Sequence, residues 1–241
     1  MQPPNDEAFF QRIAARTGLE PDLLDRPSLR GYALRRRSEL GLSDEAAFRE
    51  RLLRDQAELD RFVQEVSVAE TWFFRYPASF ALLERHADRL RRQGKPSLRT
   101  LSVACATGEE PYSMAVALAQ SGWPLNRFVV EAFDRHDRSV AFARSARFPQ
   151  WSFREPLPTG TAKWFHRDGA DATLVDSRIA ATVDFRCEDV LIAGDPAKYG
   201  TYDAVFCRNL FIYLSEAART RLIEFLDAVL APDGLLFVGH A

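Results

Sequence analysis

The chain has 241 residues, which is enough for one large domain or for one domain with a smaller partner. Hydrophobic residues make up 46% and charged residues 27%, which excludes disordered, collagen-like and small disulfide-stabilised chains. The net charge of −2 argues against nucleic acid as a partner, and no apolar run approaches the roughly 18 residues of a membrane span. The polar amino terminus and three widely separated cysteines favour a cytoplasmic protein with reduced thiols, and the scattered histidines predict no metal site.

Apolar residues recur at helical spacing through the first ~95 residues. Phe62, Val63 and Val66, for example, follow Leu59 at positions i+3, i+4 and i+7. Pro77 opens another helix, since proline suits the first helical turn. This part of the chain therefore predicts an all-helical domain.

Strand-like and helix-like segments alternate in the rest of the chain. The predicted strands are residues 98–104, 128–133, 202–207 and 235–239, and the predicted helices are 111–120, 139–147 and one that Ser215 caps. Alternation of this kind predicts βαβ units, and hence an α/β fold with a parallel sheet.

The alternation lapses between residues 149 and 179, in a segment that contains Trp151, Phe153, Trp164, Phe165, Pro156, Pro158 and Gly160. A structureless loop of this length is unusual in a compact domain, so the sequence predicts a small inserted subdomain. Its aromatic residues form either a local core or a docking surface.

The first strand leads into a loop of small residues that ends in Gly108, Glu109, Glu110 and Pro111. Doubly wound folds bind nucleotides at this position. The loop is not G-x-G-x-x-G, and its two acids disfavour a phosphate and favour a ligand with a cationic part, such as S-adenosylmethionine. The alternative is an ordinary helix amino terminus, where acidic residues are also favourable.

Polar residues also follow two later strands. Asp134 ends the second predicted strand, where an acid commonly binds ribose hydroxyls; the alternative is a helix cap. Arg208 and Asn209 follow the strand at 202–207 and are expected to face the ligand crevice, with Tyr213 at its mouth. A strand-to-helix turn with a structural tyrosine is the alternative.

Two further clusters have both a structural and a functional interpretation. Residues 70–77 combine a hydroxyl, a guanidinium and several aromatic rings, which indicates packing or part of a site. Arg30, Arg35, Arg36 and Arg37 form a concentrated basic stretch, either a solvated helix face or a docking face for an acidic helix.

Five motifs occur in order: ETWFFRYPASF, SVACATGEEPYSMAVAL, FDRH, FCRNLFIYL and APDGLLFVGH. Together they resemble the CheR family of chemotaxis methyltransferases, most closely its Wsp-type branch. The resemblance implies an α/β fold with an all-helical amino-terminal domain, residues 1–76. A doubly wound, Rossmann-like class I methyltransferase sheet follows in residues 77–241, with a small inserted β-subdomain at about 149–180.

The resemblance implies transfer of a methyl group from S-adenosylmethionine to glutamate side chains in the cytoplasmic helical region of a chemoreceptor. The products are glutamyl methyl esters and S-adenosylhomocysteine. The alternative is a sensory or scaffold module that binds either compound without turnover. A nicotinamide dehydrogenase is disfavoured by the acidic loop.

The same resemblance assigns residue roles. Glu110 is expected to meet the cofactor's amino group, Asp134 its ribose, and Asp189 with Val190 its adenine side. The full expected set is Arg75 and Tyr213 for catalysis; Thr71, Arg75, Glu110, Asp134, Asp189, Val190, Arg208 and Asn209 for the cofactor; and Arg30, Arg35, Arg36 and Arg37 for substrate docking.

The sequence departs from the family pattern in three places. Ala69 and Asp189 each stand where the family has asparagine, and the chain stops at Ala241, before the family's final strands. We therefore expect the last strands of the sheet to be missing, which leaves residues 235–239 near a sheet edge.

Overall fold

A computed structural model describes residues 6–24, 27–66, 70–192 and 195–239. These residues form two compact units: residues up to 66 together with 210–223, and residues 70–209 together with 224–239. The domain boundary after residue 76 stays a prediction. Ala69, one of the departures from the family pattern, and His240, the last residue of the fifth motif, lie outside the described residues.

The first unit is helical, as predicted. Its helices are α1 (Asp6–Thr17), α2 (Pro27–Glu39), α3 (Glu45–Arg54) and α4 (Gln56–Val66). Asp44 caps α3, because its carboxylate accepts a hydrogen bond from the backbone N–H of Ala47 at 2.8 Å. Apolar side chains from all four helices share one core, and Ile13 and Val63 are fully buried in it.

The second unit contains all the strands described in the chain. These are β1 (Leu98–Val103), β2 (Phe128–Asp134), β3 (Arg147–Pro149), β4 (Phe165–Asp168), β5 (Ala172–Val175), β6 (Val183–Cys187), β7 (Tyr202–Phe206) and β8 (Leu230–Phe237). The remaining helices are α5 (Pro77–Arg92), α6 (Glu109–Gln120), α7 (Asp137–Arg144), α8 (Ser177–Ala180) and α9 (Glu216–Val229).

Five strands form a parallel sheet in the order β6-β2-β1-β7-β8. The chain fills the sheet outward from β1 through β2 to β6, then returns to the other side of β1 for β7 and β8. The strand order therefore reverses between β1 and β7, and open α/β sheets bind ligands at the carboxyl ends of the strands beside such a reversal. The central position of β1 explains why its residues are almost all buried.

The remaining three strands form a separate antiparallel sheet, in the order β3-β5-β4. This sheet is the predicted inserted β-subdomain. Phe148 and Trp164 are buried and belong to the same apolar cluster as the main sheet, whereas Trp151 is 55% exposed. The predicted fold class is thereby confirmed.

Several predicted boundaries were wrong. Helix α6 begins at Glu109 rather than at residue 111, and α7 ends at Arg144 because β3 starts at Arg147. Strand β8 begins at Leu230 rather than at residue 235, and its register with β7 shifts between the pairs Tyr202–Leu230 and Ala204–Leu235. Strand β6 had no predicted counterpart. Within the described residues, no helix has the length and apolar character needed to cross a bilayer.

Candidate functional site at the carboxyl ends of the strands

The loop between β1 and α6 passes close to neighbouring elements. Ala104 and Ala106 have positive φ angles of 58° and 48°, which is uncommon for residues with a side chain. Gly108 has φ 98°, and a Cβ atom there would lie 2.7 Å from the Cβ of Ala143 in α7. Only glycine fits at position 108, so the loop brings bare backbone to the carboxyl edge of the sheet.

Asp134 ends β2 beside this loop and fixes its shape. One carboxylate oxygen accepts a hydrogen bond from Ala106 N–H at 2.8 Å, and the other accepts from His136 N–H at 2.9 Å. His136, not Asp134, is the N-cap residue of α7, and Asp134 accepts the N–H of His136 rather than one within the first turn of the helix. Its oxygens retain lone pairs, and ribose binding by Asp134 remains a prediction.

The two acids at the start of α6 have different environments. Glu109 is fully buried, and its oxygens accept hydrogen bonds from the hydroxyls of Thr107 at 2.6 Å and Ser152 at 2.8 Å. Burial away from water raises the pKa of the Glu109 carboxyl. Through Ser152, Glu109 also links the loop after β1 to the segment that follows β3.

Glu110 instead belongs to a buried ion pair. Its carboxylate accepts hydrogen bonds from the Ser102 hydroxyl at 2.7 Å and from Nε of Arg208 at 2.6 Å. Nη1 of Arg208 donates to the backbone carbonyl of Arg75 at 2.5 Å. Side chains from β1, α6 and the end of β7 thus hold the turn that carries Arg75.

The Arg75 guanidinium has no carboxylate partner among the described residues. It donates to the carbonyl of Glu70, and its central carbon lies 4.6 Å from the Trp72 ring centroid and 5.2 Å from that of Tyr76. Its Nε atom is buried without a hydrogen-bond partner. Phe74 and Tyr76, on either side of Arg75, have positive φ angles. A strained turn therefore holds a cation that pairs with no carboxylate in the described part of the chain.

The other predicted cofactor residues lie on the same unit. Thr71 is half-buried, and its hydroxyl has no partner within the described segments. Asp189 and Val190 follow β6 near Asp134, and the Asp189 carboxylate lies 3.3 Å from Nη2 of Arg135. Asn209 follows Arg208 with φ 59°, an angle that asparagine tolerates well.

Tyr213 and the arginine stretch belong to the helical unit. The carbonyl of Tyr213 accepts a hydrogen bond from Glu20 N–H at 2.9 Å, and its side chain packs against the helical core. Arg36 makes two hydrogen bonds to the buried Glu58, from Nε at 2.9 Å and from Nη2 at 2.6 Å. Arg30, Arg35 and Arg37 lie on the same helix, α2.

Sequence reasoning missed the roles of Ser102 and Ser152. Ser102 lies in the buried strand β1, and a polar residue in such a strand is a signal that was available. Ser152 carries no such signal, because its contact with Glu109 depends on the fold of the insert.

The chemistry of these residues fits S-adenosylmethionine. Glu109, Glu110 and Asp134 place three acids at the carboxyl edge, which suits a cationic sulfonium and ammonium and opposes phosphate. Arg75, which pairs with no described carboxylate, suits the carboxylate of a ligand or an acceptor. No cluster of His, Cys, Asp or Glu suited to a metal occurs in the described part of the chain.

A parallel sheet with these features defines a methyltransferase domain that uses S-adenosylmethionine. Residues 69–241 match the family described as "CheR methyltransferase, SAM binding domain". The chain belongs to this family, as its resemblance implied, and its cofactor is S-adenosylmethionine.

Curated relatives agree. Proteins described as "Probable biofilm formation methyltransferase WspC" from Pseudomonas putida and Pseudomonas aeruginosa are each 35% identical over 98% of this chain and 56% of their own length. The "Chemotaxis protein methyltransferase" of Escherichia coli is 33% identical over 98% of this chain and 84% of its own. The chain thus spans little more than half the length of the two WspC proteins.

Proposed function

We propose that this protein transfers a methyl group from S-adenosylmethionine to glutamate side chains in the cytoplasmic helical region of a chemoreceptor. The products are glutamyl methyl esters and S-adenosylhomocysteine, and the reaction takes place in the cytoplasm. The observation that carries the proposal is Arg75, a cation without a carboxylate partner among the described residues, anchored by the Glu110–Arg208 pair. The names of the relatives support methylation in chemotaxis or biofilm signalling.

The reaction requires that the acceptor carboxylate and the methyl group be positioned correctly, and it does not require a general base. S-Adenosylmethionine, when bound, supplies a methyl group on a cationic sulfur; a glutamate carboxylate, already ionised at neutral pH, takes this methyl as the carbon–sulfur bond breaks, and no proton moves. The protein's task is to hold the two partners in line and to exclude water. Arg75 serves this task by binding the acceptor carboxylate through charge-assisted hydrogen bonds.

In this proposal, each of the other residues contacts a different part of the cofactor. Thr71 and Arg75 meet its methionine end, and Asp134 its ribose, with Asp189 and Val190 on the adenine side. Arg208 and Asn209 line the site. Glu110 orients Arg208 and faces the amino group.

The proposed docking face for the acidic receptor helix consists of Arg30, Arg35 and Arg37. We leave Arg36 out of this face, because its guanidinium is bound to Glu58 within the helical unit.

The test has two stages. The chain is first titrated with S-adenosylhomocysteine by calorimetry, where saturable one-to-one binding is expected. It is then incubated with S-[methyl-³H]adenosylmethionine and soluble cytoplasmic receptor fragments. A glutamyl methyl ester releases volatile tritiated methanol in base, whereas an N-methyl product does not. Binding without any base-labile label would contradict methyl transfer and support a module without turnover.

A further inference from the structure

Trp72 connects the Arg75 turn to the inserted subdomain. Its indole N–H donates to the Glu155 carboxylate at 3.1 Å. The guanidinium of Arg154 lies 5.0 Å from the centroid of the same ring, and Nη1 of Arg154 forms an ion pair with Glu70 at 2.6 Å. Arg154 and Glu155 both follow β3, so residues of the insert fix the position of the indole.

The Trp72 indole makes one of the few described contacts of the Arg75 side chain. Apart from Trp72, that side chain contacts the Tyr76 ring and the carbonyl of Glu70. An arginine side chain has several rotatable bonds, and leaving it free would cost entropy when an acceptor binds. A ring at 4.6 Å removes part of that freedom before binding and leaves the cation without an anion.

The backbone of the turn depends on the insert as well. Phe73 N–H donates to the carbonyl of Ser152 at 2.8 Å. The Phe73 ring packs against three aromatic rings of the insert, with centroid distances of 4.6 to 4.9 Å: Phe148, Phe153 and Phe165. Phe73 is buried and belongs to the core, whereas Trp72 is only half-buried. Core packing therefore accounts for the position of the Phe73 ring, but it does not account for the contacts of the half-buried Trp72 ring.

We propose that Trp72 is a positioning residue that holds the Arg75 guanidinium ready for the acceptor carboxylate, and that Arg154 and Glu155 of the insert hold Trp72. The insert is then a working part of the methyl-transfer site, and any ligand of the insert that moves Arg154 or Glu155 changes turnover. The kinetic part of this proposal rests on the proposed function; the structural part does not.

The structural part is tested by nuclear magnetic resonance of the whole chain. The Nε–H signal of Arg75 is identified by its absence in Arg75→Lys. We expect a resolved signal in the wild type and in Trp72→Phe, which keeps a ring. In Trp72→Leu the signal should be lost by exchange with water. An unchanged Arg75 signal in Trp72→Leu would overturn the proposal, whether or not the protein methylates anything.

The kinetic part uses the tritium assay at saturating S-adenosylmethionine. Trp72→Leu should lower kcat/KM for the receptor fragment about tenfold, the scale of one partly desolvated cation–π contact, and Trp72→Phe should restore most of it. Glu155→Ala should give a smaller loss in the same direction. Trp151→Leu is the matched control, since Trp151 lies in the same insert, is exposed, and should leave the rate unchanged.

The outcomes separate the two proposals. If the wild type labels no receptor fragment, the proposed function fails and the resonance experiment still decides the role of Trp72. If the wild type is active but Trp72→Leu equals Trp151→Leu in rate, Trp72 does not position Arg75 for catalysis. A fall in thermal stability with an unchanged rate would assign Trp72 to packing alone.

Discussion

Two buried glutamates show how differently the helical unit and the carboxyl edge of the sheet treat charge. Glu58 in the helical unit is 2% exposed, and Glu109 at the carboxyl edge is 0% exposed. Glu58 binds Arg36 and Arg61, and the hydrogen bonds from Arg36 lower the pKa of the Glu58 carboxyl in spite of burial. Glu109 accepts hydrogen bonds from the Thr107 and Ser152 hydroxyls and forms an ion pair with no described residue, and burial raises the pKa of its carboxyl.

The difference between Glu58 and Glu109 indicates where in this protein a buried charge stays without a partner of opposite charge. A buried carboxylate paired with arginines is neutralised, as at Glu58. Among the described residues, Glu109 instead has no bonded cation and Arg75 has no carboxylate partner, although Arg154 and Glu70 lie in the same part of the structure. Groups left unpaired in this way are expected where a charged ligand completes the set. In this chain, unpaired charge distinguishes the site better than charge alone.

The largest expected effect comes from breaking the ion pair of the site. Arg208→Met leaves the Glu110 carboxylate buried without its cation, which should lower the free energy of unfolding by about 3–5 kcal/mol. It also releases the carbonyl of Arg75, so binding of S-adenosylhomocysteine should be lost. Urea unfolding and calorimetry measure the two effects.

Arg36→Met is the matched control for Arg208→Met. Glu58 keeps Arg61 in this variant, so the loss in unfolding free energy should be clearly smaller, and cofactor affinity should not change. Equal losses in the two variants would show that the two pairs are equivalent and that the proposed difference between the regions is wrong.

The next largest effect is on catalysis alone. Arg75→Ala should lower kcat/KM for methyl transfer by about a hundredfold or more, because the acceptor carboxylate loses its charge-assisted hydrogen bonds. Its melting temperature should stay close to that of the wild type, since Arg75 makes no ion pair in the described structure. An unaltered turnover rate in Arg75→Ala would remove it from the mechanism.

Asp134→Ala should have an intermediate effect on cofactor binding. Loss of a charged hydrogen-bond acceptor should weaken the affinity for S-adenosylhomocysteine by about 1–3 kcal/mol, and the loop at Ala106 loses its anchor as well. Calorimetric titration gives the value. Asp184→Ala, at an exposed position of β6, should bind as the wild type does; equal affinity in both variants would refute the role of Asp134.

The smallest expected effect is on the pH dependence of the free energy of unfolding, which should change in opposite directions in Glu109→Gln and Glu58→Gln. The pKa of Glu109 is raised on folding above 4.5, so its contribution to stability is present at low pH and falls as pH rises through the folded value. Glu109→Gln removes that fall and should stabilise the protein at neutral pH by about 1 kcal/mol relative to wild type. The difference should shrink toward pH 4.

Glu58→Gln should behave in the opposite way. The pKa of Glu58 is lowered from 4.5, so its contribution is present above that value and is lost as pH falls through the folded pKa. The variant should be less stable than wild type at neutral pH and equal to it in acid. Urea midpoints measured from pH 3 to pH 8, a range that extends below the 4.5 of the unfolded Glu58 carboxyl, compare the two glutamates, and parallel curves would contradict their different environments.

Strong local patterns made most of the sheet predictable. Strands β1, β2 and β7 are buried apolar runs, and the small-residue loop and Asp134 follow them directly. Strand β6 was missed because it lies at the sheet edge: the charged residues Asp184 and Arg186 alternate with Val183, Phe185 and Cys187, so no apolar run marks it. The alternating pattern of an edge strand is weaker than the continuous run of a central one.

The sequence predicts where a residue lies along a strand or helix much better than it predicts which side chain that residue will contact. The sequence places Glu110 and Arg208 at strand ends, but nothing in their 98-residue separation predicts that they bind each other. The four arginines of α2 look equivalent in the sequence, and only the packing of α2 against α4 assigns Arg36 to Glu58. Such pairings depend on tertiary geometry, which local propensity does not contain.

The left-handed backbone around the site has a consequence for folding. Of six described non-glycine residues with positive φ, five border the site: Phe74, Tyr76, Ala104, Ala106 and Asn209. Each such residue opposes its local preference by about 1–2 kcal/mol, so only completed packing of the sheet keeps these turns in place. We therefore expect these turns, and the site that they border, to form late as the chain folds. A ligand that binds only the finished pocket stabilises the complete domain over every partly folded form, which makes cofactor supply a factor in how much folded protein accumulates.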